Sequence, residues 1–276
     1  MKLAIKPDLS GKVAVVTGAG GVICSVLSAA LAECGAKVAL LDVNYDAAKK
    51  AADAIGENAL AVRCDCLDKA SIIAAKSDVA EKLGAVDILI NGAGGNNPRA
   101  TTDNEYMTPE LSGIKDFFAL GEDGLRFVFD LNITSAFLTT QVFAADMTKR
   151  GGNIINISSM NAYRPLTKIP AYSAAKAGVS NFTAWLAVHF APCGIRCNAL
   201  APGFFVTNQN RALLFKDDGT PTARTEKIIA ATPMKRFGEV EELVGTLLWL
   251  VCDEASGFVT GITVPIDGGF SSYSGV

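Results

Sequence analysis

The fold class is indicated by residues 13–42, VAVVTGAGGVICSVLSAALAECGAKVALLD. A short β-branched run gives way to a turn with three glycines, and a helical pattern follows that ends at Gly35. A second apolar run then ends at Asp42. A strand, a helix and a strand in this order predict a parallel βαβ unit with a right-handed crossover.

The same rhythm continues along the whole chain of 276 residues. The strand candidates are KVAVVTG, KVALLD, ALAVRCD, VDILIN, NIINIS, IRCNAL and ITVPID, and the runs between them have helical patterns. Nearly continuous apolar runs are typical of strands covered on both faces. Without a linker or a low-complexity segment, residues 1–276 are predicted to form a single doubly wound Rossmann-type α/β domain. It would have about seven parallel strands, with helices on both faces.

Two long segments interrupt this rhythm, at about residues 95–122 and 204–237. Both are expected to be irregular, and both follow predicted strand ends. Open α/β sheets bind ligands at the carboxyl ends of their strands, and long loops in compact domains are usually functional. We therefore expect these loops to form the substrate side of a site.

Charge and composition exclude several classes of function. The net charge of −3 provides no basic surface for nucleic acid or anionic lipid. The apolar runs are short of the about 20 residues that cross a bilayer, and the first residues lack the pattern of a secretion signal. Seven scattered cysteines suggest buried thiols in a reducing, cytoplasmic setting. With a single histidine, His189, no metal site is expected.

The glycine turn is the first candidate for a binding site. GAGGVI matches two glycines of the dinucleotide-binding fingerprint, at Gly18 and Gly20, and has Ile23 at the third place. Its context strengthens the match, since Asp42 ends the next strand near the expected offset of about 20 residues. A carboxylate there accepts hydrogen bonds from a ribose and repels a 2′-phosphate. The sequence therefore predicts NAD rather than NADP.

A catalytic group is indicated further along the chain. Tyr172 and Lys176 are four residues apart on a predicted helix and so share one face. Tyr45 and Lys49 have the same spacing, but only Tyr172 has a serine, Ser159, thirteen residues earlier at the end of a strand. Hydride transfer between an alcohol and nicotinamide also moves a proton, which needs an acid/base.

These three residue types suit that chemistry. A tyrosine has an ordinary pKa near 10 and is a poor base at neutral pH. An ammonium about 5.5 Å away would lower that pKa by roughly two units at an effective dielectric of about 20. Tyr172 is therefore predicted as the acid/base, Lys176 as its electrostatic partner and Ser159 as the donor to the substrate oxygen.

With these motifs the sequence resembles the short-chain dehydrogenase/reductase family over essentially its whole length. The motifs are TGAGGVIC (17–24), CDCLD (64–68), NGAG (91–94), DLN (130–132), YSAAK (172–176) and PGFFVT (202–207). The resemblance implies that Asn132 completes a catalytic tetrad with Ser159, Tyr172 and Lys176 by holding a water that relays protons. It implies cofactor contacts from Gly18, Gly20, Gly21, Val22, Ile23, Asp42, Asp65, Asn91, Gly92, Ala93, Gly94, Tyr172, Lys176, Pro202, Gly203 and Thr207.

The chain also departs from the usual pattern of the family. Val22 and Cys24 stand where glycines are common, and Gly92 stands where asparagine is commoner. Backbone N–H groups at the start of a helix can still hold a pyrophosphate. We expect Val22 to adopt a helical backbone, with the affinity for the cofactor as the property most affected.

A narrower resemblance is to the D-mannonate oxidoreductase (fructuronate reductase) branch of hexuronate metabolism. It is carried by GAGGVICS, GAGGNNPRATTD, SSMNAYRPLTKIPAYSAAKA, NFTAWLAVHFA, TNQNRALLF and IDGGFSSYSGV. The implied reaction interconverts D-mannonate and D-fructuronate with NAD. A sugar acid needs a cation and several amide partners. The candidates in the post-strand loops are Asn96, Asn97, Arg99, Asn161, Arg164, Lys168, Asn208 and Arg211.

Other functions stay open at this point. A dehydrogenase of another sugar acid or polyol, such as gluconate 5-dehydrogenase, would use the same tetrad. A 3-oxoacyl reductase would want an apolar slot, against which the polar run GGNNPRATTDNEY argues. A non-catalytic NAD-binding module would not need the tetrad. Members of the family commonly form tetramers, so a homotetramer is also expected.

Overall fold

Seven parallel strands form one sheet in the part of the chain that the computed structural model describes, which is Leu3, residues 5–207 and residues 211–275. Each strand lies at a run that the sequence predicts, so the expected fold class is confirmed. The strands are β1 (Val13–Thr17), β2 (Lys37–Asp42), β3 (Ala59–Arg63), β4 (Ile88–Asn91), β5 (Gly152–Ile157), β6 (Ile195–Pro202) and β7 (Thr263–Ile266).

Helices connect the strands and cover both faces of the sheet. They are α1 (Val22–Glu33), α2 (Tyr45–Ile55), α3 (Lys69–Lys82), α4 (Glu122–Phe129), α5 (Ser135–Met147), α6 (Pro170–Phe190), α7 (Arg211–Leu214), α8 (Ala223–Ala231), α9 (Val244–Val251) and α10 (Asp253–Ser256). A π-helical turn, Asp130–Thr134, joins α4 to α5. Such turns occur frequently at functional sites.

Strand β1 shows how the sheet builds a core on each face. Alternate side chains of a strand point to opposite faces. Ala14 and Val16 pack into an apolar cluster with α1 and α9, whereas Val13 and Val15 pack into a second cluster with α3, α5 and α6. All five residues of β1 are buried, which explains why its sequence is a continuous apolar run.

One helical run is long and apolar enough to span a membrane by length and composition, within the described residues. It is the run Glu122–Met147, which comprises α4, the π turn and α5. Half of its apolar window is buried inside the protein, where α5 packs on α3 and β4. Its hydropathy therefore reflects its place in the core.

The order of the strands places a crevice in the middle of the sheet. From edge to edge the order is β3-β2-β1-β4-β5-β6-β7, so the chain leaves β1 in one direction toward β2 and later returns to its other side with β4. The connections on the two sides therefore diverge above β1 and β4. Ligands of doubly wound sheets bind at this point.

The two long segments differ in structure. The first is irregular as expected, with only short 3₁₀ turns at Pro98–Ala100 and Phe117–Ala119. For the second, the expectation of an irregular segment is wrong, because it contains α7 and α8. The Thr222 side chain accepts a hydrogen bond from the Thr225 N–H and so caps the start of α8. The apolar periodicity of this segment is too weak to predict the helix from the sequence.

The cysteines are all free thiols, and five of the seven are buried. Buried free cysteine behaves as a small hydrophobic residue. Among the described residues, no group of histidine, cysteine, aspartate or glutamate side chains has the arrangement of a metal site.

Candidate active site

A cleft of about 730 Å³ opens at the carboxyl ends of β1 and β4. It collects residues from segments that are far apart in the sequence. Of the predicted cofactor residues, it is lined by Gly18, Gly20, Gly21, Val22, Ile23, Asp42, Asp65, Gly92, Ala93, Gly94, Tyr172, Lys176, Pro202, Gly203 and Thr207. The position and the lining are those of a dinucleotide site in a doubly wound sheet.

The glycine turn between β1 and α1 has the shape that a pyrophosphate requires. Gly18 has a φ of +64°, and a β carbon there would lie 2.9 Å from the backbone of Ala93. Gly21 caps α1, which begins at Val22, so the expectation of a helical Val22 is confirmed. The free N–H groups at the start of α1 provide an anion site, and the residues present fit the cofactor.

Asp42 stands at the end of β2 and faces this turn. Its carboxylate accepts hydrogen bonds from the Gly20 N–H and the Asn44 N–H, both at 2.9 Å. A β carbon at Gly20 would lie 3.0 Å from Asp42 Oδ2, so the glycine keeps the carboxylate close to the turn. A fixed negative charge here suits a ribose with free hydroxyls and disfavours a 2′-phosphate.

Asn91 is the one predicted cofactor residue among the described ones that does not line the cleft. Its amide donates to Thr140 Oγ1 and Asn156 Oδ1, at 2.9 and 2.8 Å, and accepts from the Thr139 hydroxyl at 2.6 Å. These buried partners use the polar atoms of the side chain. Asn91 therefore joins β4 to β5 and α5 beneath the cleft, and its side chain is committed to the core.

Three predicted catalytic residues meet at the floor of the cleft. Ser159 follows β5, and its hydroxyl is near enough to the Tyr172 phenol to lower the pKa of that phenol. The Lys176 ammonium lies 5.7 Å from the centre of the Tyr172 ring and donates to the Ile157 carbonyl at 2.7 Å. A strand end and one face of α6 thus bring together a hydroxyl, a phenol and an ammonium.

The charges in this group differ from the expectation. Burial raises the pKa of Tyr172 above 10, and the hydrogen bond with Ser159 offsets this only in part. Burial also lowers the pKa of Lys176 to about 8. The expected lowering of the tyrosine pKa by roughly two units is therefore wrong for the protein alone, because desolvation of the phenolate is the largest influence on that pKa.

Asn132 lies in the π turn and is almost completely buried. Its amide group donates to the carbonyls of Gly95 and Val128, both at 2.7 Å, and accepts from the Gly95 N–H at 3.1 Å. A β carbon at Gly94 would lie 2.7 Å from Asn132 Oδ1 and 3.0 Å from Lys176 Nζ. The side chain therefore fixes the loop after β4 beside Lys176.

The seven described residues that are predicted to bind the substrate are not part of the cleft wall. Asn208 lies outside the described residues, and none of the other seven lines the cleft. Arg99 pairs with Asp123 at 2.6 Å, and Arg164 donates to the Ser271 carbonyl at 3.0 Å. Asn161 comes nearest in sequence to the catalytic group: its N–H donates to Ser159 Oγ, and its buried Oδ1 has no hydrogen-bond partner among the described residues.

The other candidates lie in the surrounding loops. Asn96 donates to Thr101 Oγ1 at 2.9 Å, and the Asn97 side chain caps a 3₁₀ turn. The Arg211 guanidinium lies over the Phe215 ring at 5.5 Å. Lys168 has a φ of +72°, a rare conformation for lysine that occurs mainly at functional sites and tight turns.

Sequence analysis missed several residues of the cleft wall. Cys64, Cys66 and Leu67 surround Asp65 after β3, and Phe127 and Leu131 precede Asn132 on the helix. A signal was present in both cases, since the first group follows a strand end and the second pair has helical spacing. Their apolar character concealed them, because it equally fits the core.

The family model described as enoyl-(acyl carrier protein) reductase matches residues 18–271. Two relatives are each 54% identical: an uncharacterized oxidoreductase of Haemophilus influenzae, matched over 100% of this chain and 99% of its own, and the uncharacterized oxidoreductase UxuB of Bacillus subtilis, matched over 99% and 100%. A crystal structure with bound NAD, of a Haemophilus protein provisionally described as a D-mannonate oxidoreductase, is similar with a TM-score of 0.95. It has 54% identity and 98% coverage of both chains.

These similarities span the cleft as well as the core of the fold. The chain belongs to the short-chain dehydrogenase/reductase family. It is an oxidoreductase of that family, whose members use NAD or NADP.

Proposed function

We propose that this protein is an NAD-dependent oxidoreductase that interconverts D-mannonate and D-fructuronate by hydride transfer. The observation that carries the proposal is the group of Ser159, Tyr172 and Lys176 in the cleft, in a chain 54% identical to the NAD-bound protein provisionally described as a D-mannonate oxidoreductase. A polar substrate in which one secondary alcohol reacts fits a site that pairs a proton carrier with a nicotinamide cofactor.

NAD would be held by the glycine turn, the start of α1 and the carboxylate of Asp42. When bound, it supplies the acceptor or donor of the hydride. The Asp42 carboxylate is oriented by hydrogen bonds from the Gly20 and Asn44 N–H groups, and its charge in this place supports NAD over NADP. Residues 92–94 and Thr207 would border the other half of the cofactor, since they lie in the cleft with Tyr172 and Lys176.

Tyr172 would exchange the proton of the reacting alcohol. In the oxidation direction, its phenolate oxygen takes the hydroxyl proton while the carbon loses a hydride, and in reduction the phenol returns the proton to the new alkoxide oxygen. Ser159 would donate a hydrogen bond to the same substrate oxygen. Both groups need to be fixed before reaction, which their positions after β5 and at the start of α6 provide.

Lys176 would stabilise the phenolate form of Tyr172 through its charge. With a pKa lowered to about 8, its ammonium form still predominates at neutral pH. The Lys176 ammonium donates one of its three hydrogen bonds to the Ile157 carbonyl, which leaves two N–H groups for other acceptors. A water held near Asn132, which borders Gly94 together with Lys176, would relay protons from this ammonium to solvent.

For substrate recognition, Asn161 is the best-placed candidate. It follows Ser159, and its buried Oδ1 has no partner among the described residues, so a substrate hydroxyl there would satisfy it. Arg164, Lys168 and Arg211 are the candidates for the substrate carboxylate. Replacing each by glutamine separates them, because loss of the correct cation should raise KM for the sugar acid while kcat changes little.

Rates of NADH formation on D-mannonate, D-gluconate and D-altronate test the proposal. D-mannonate is expected to have the highest kcat/KM by at least about tenfold. These acids differ in the configuration of their hydroxyl-bearing carbons, and so in the directions of the hydroxyls that the site must hydrogen-bond. The Tyr172→Phe variant serves as the control, because it should bind NADH with little turnover of any of them.

Three results would contradict the proposal. Preference for D-gluconate would favour a gluconate 5-dehydrogenase with the same catalytic group. Binding of NADH without turnover of sugar acids, alditols or acyl thioesters would favour a non-catalytic NAD-binding module. Fast turnover of acyl thioesters would indicate a 3-oxoacyl reductase.

A homotetramer in a cytoplasmic setting belongs to the same proposal. A row of stacked rings on α5 and α6 runs from the core to the surface and supports assembly: Phe137 stacks on the buried Phe182 at 3.7 Å, and Trp185 stacks on His189 at 4.5 Å. Trp185 and Val188 are more than half exposed. Seven free thiols suit a reducing compartment. Sedimentation of wild type against Trp185→Glu tests the assembly, and an unchanged mass would contradict it.

A further inference from the structure

The thiol of Cys24 occupies the space beside Gly92. Cys24 lies in the first turn of α1, and Gly92 directly follows β4. A β carbon at Gly92 would overlap Cys24 Sγ and would lie 3.7 Å from Cys24 Cβ. The thiol is almost completely buried, and burial raises its pKa to about 12, so it is a neutral packing group. A side chain at position 24 therefore leaves no room for one at position 92.

The loop that begins at Gly92 links the two halves of the cleft. Its first N–H donates to Thr17 Oγ1 at 3.0 Å, and the backbone of Ala93 lies close to Gly18 in the glycine turn. At its far end, Gly94 lies close to Asn132 and Lys176. A displacement of this short loop would therefore reach both the cofactor turn and the catalytic lysine.

We propose that Cys24 is a positioning residue for the cofactor: its thiol fills the volume beside Gly92 and holds residues 92–94 against α1. The proposal rests on the proposed NAD site. Close packing gives such a contact its effect, because the lining of a void loses its partners and relaxes only in part. In this chain Cys24 of α1 supplies the packing atom, Sγ, and the absence of a side chain at Gly92 leaves the space for it.

Truncation of two matched thiols tests the first half of the proposal. Cys24 lies in the first turn of α1 and Cys34 caps its other end, and both are 4% exposed. Cys24→Ala should weaken NADH binding about fivefold, because binding must restore the loop around the new void. Cys34→Ala should leave the dissociation constant unchanged, and Cys24→Ser, which keeps an atom at the γ position, should recover most of the loss. Equal effects of the two alanine variants on NADH binding would overturn the proposal.

A double-mutant cycle tests the shared volume. Gly92→Ala in the wild-type background should weaken NADH binding by more than about tenfold, because the new methyl group meets the thiol. In the Cys24→Ala background, Gly92→Ala should weaken NADH binding by a factor at least about threefold smaller. Part of the effect should remain, because the new β carbon would still lie 2.7 Å from the Thr17 carbonyl oxygen. Additive losses would overturn the proposal.

Folding provides a second measurement if Gly92→Ala does not fold. Recovery of a cooperative thermal transition in the Cys24→Ala/Gly92→Ala chain would support the shared volume, and failure of both chains to fold would contradict it. NADH binding needs no substrate, so the result is independent of the sugar acid. A wild type that does not bind NADH refutes the proposed cofactor, whereas normal wild-type binding with additive variants refutes only the role of Cys24.

Discussion

The molecule contains two tyrosine–lysine pairs with the same spacing in opposite surroundings. Tyr45 and Lys49 lie on α2, where Tyr45 is 41% exposed and Lys49 forms an exposed ion pair with Asp53. Tyr172 and Lys176 lie on α6 in the cleft, where Lys176 is 3% exposed and donates to a backbone carbonyl. The same helical spacing produces a surface pair in one region and the centre of the site in the other.

Burial, rather than spacing, distinguishes the pair in the cleft from the pair on the surface. Asp53 raises the pKa of Lys49, whereas burial lowers the pKa of Lys176 to about 8. Burial also raises the pKa of Tyr172. A desolvated phenol and ammonium respond strongly to any charge that enters the cleft, because a low local dielectric leaves their interactions poorly screened.

Removing the phenol hydroxyl should affect turnover strongly in the cleft pair and hardly at all in the surface pair. Tyr172→Phe is expected to lower kcat at least about a hundredfold, because the reacting proton loses its carrier, while NADH still binds. Tyr45→Phe should stay within about twofold of wild type, since surface changes of this kind are small. Turnover on D-mannonate and binding of NADH are measured side by side. Near-normal turnover of Tyr172→Phe would refute the assigned chemistry.

The contributions of the two lysines to the free energy of unfolding should change with pH in opposite directions. The pKa of Lys176 is about 8 in the folded chain and 10.5 as the ordinary value, so between these pH values the unfolded state binds more protons and the free energy of unfolding rises with pH. Wild type should therefore gain up to about 3 kcal/mol over Lys176→Met from pH 8 to 10.5.

Lys49→Met is the matched control for this measurement. The pKa of Lys49 is raised in the folded chain, so its stabilising effect is present below the ordinary value of 10.5 and is lost as the pH rises through the folded value. The advantage of wild type over Lys49→Met should thus fall with pH. Denaturant unfolding at several pH values gives both slopes, and slopes of the same sign for the two lysines would contradict the assigned burial of Lys176.

A smaller effect should distinguish two carboxylates at the end of β2 and the start of α2. Asp42→Asn keeps an acceptor for the Gly20 N–H but removes the charge, so the preference for NAD over NADP, as a ratio of kcat/KM values, should fall about tenfold. Asp46→Asn, on the exposed first turn of α2, should leave the ratio unchanged. An unchanged ratio in Asp42→Asn would place the selection of the cofactor elsewhere.

Much of the fold was predictable from local sequence. Strands buried on both faces must be apolar throughout, so runs such as VAVVT are unambiguous, and the order of strands and helices then determines the crossovers. The meeting of Ser159 and Tyr172 was predictable for a related reason, because Ser159 closely follows a strand and Tyr172 lies in the first turn of a helix, so the fold leaves them little choice of position.

The rest depends on contacts between residues distant in sequence. The pair of Cys24 and Gly92 appears in the sequence as two unrelated departures, and only their packing shows that they share one space. The substrate candidates were chosen as polar loop residues, yet Arg99 and Arg164 have partners of their own. Local polarity predicts that a side chain needs a partner, but it does not identify the partner.

The role assigned to Tyr172 is tested most directly by the ionisation of its phenol. The ultraviolet absorbance difference between wild type and Tyr172→Phe, followed across pH, reports the phenolate. Without cofactor the pKa should lie above 10, as burial dictates, and with saturating NAD⁺ it should fall by at least about one unit as positive charge enters the cleft. A pKa that NAD⁺ leaves unchanged would contradict a Tyr172 that carries the reacting proton.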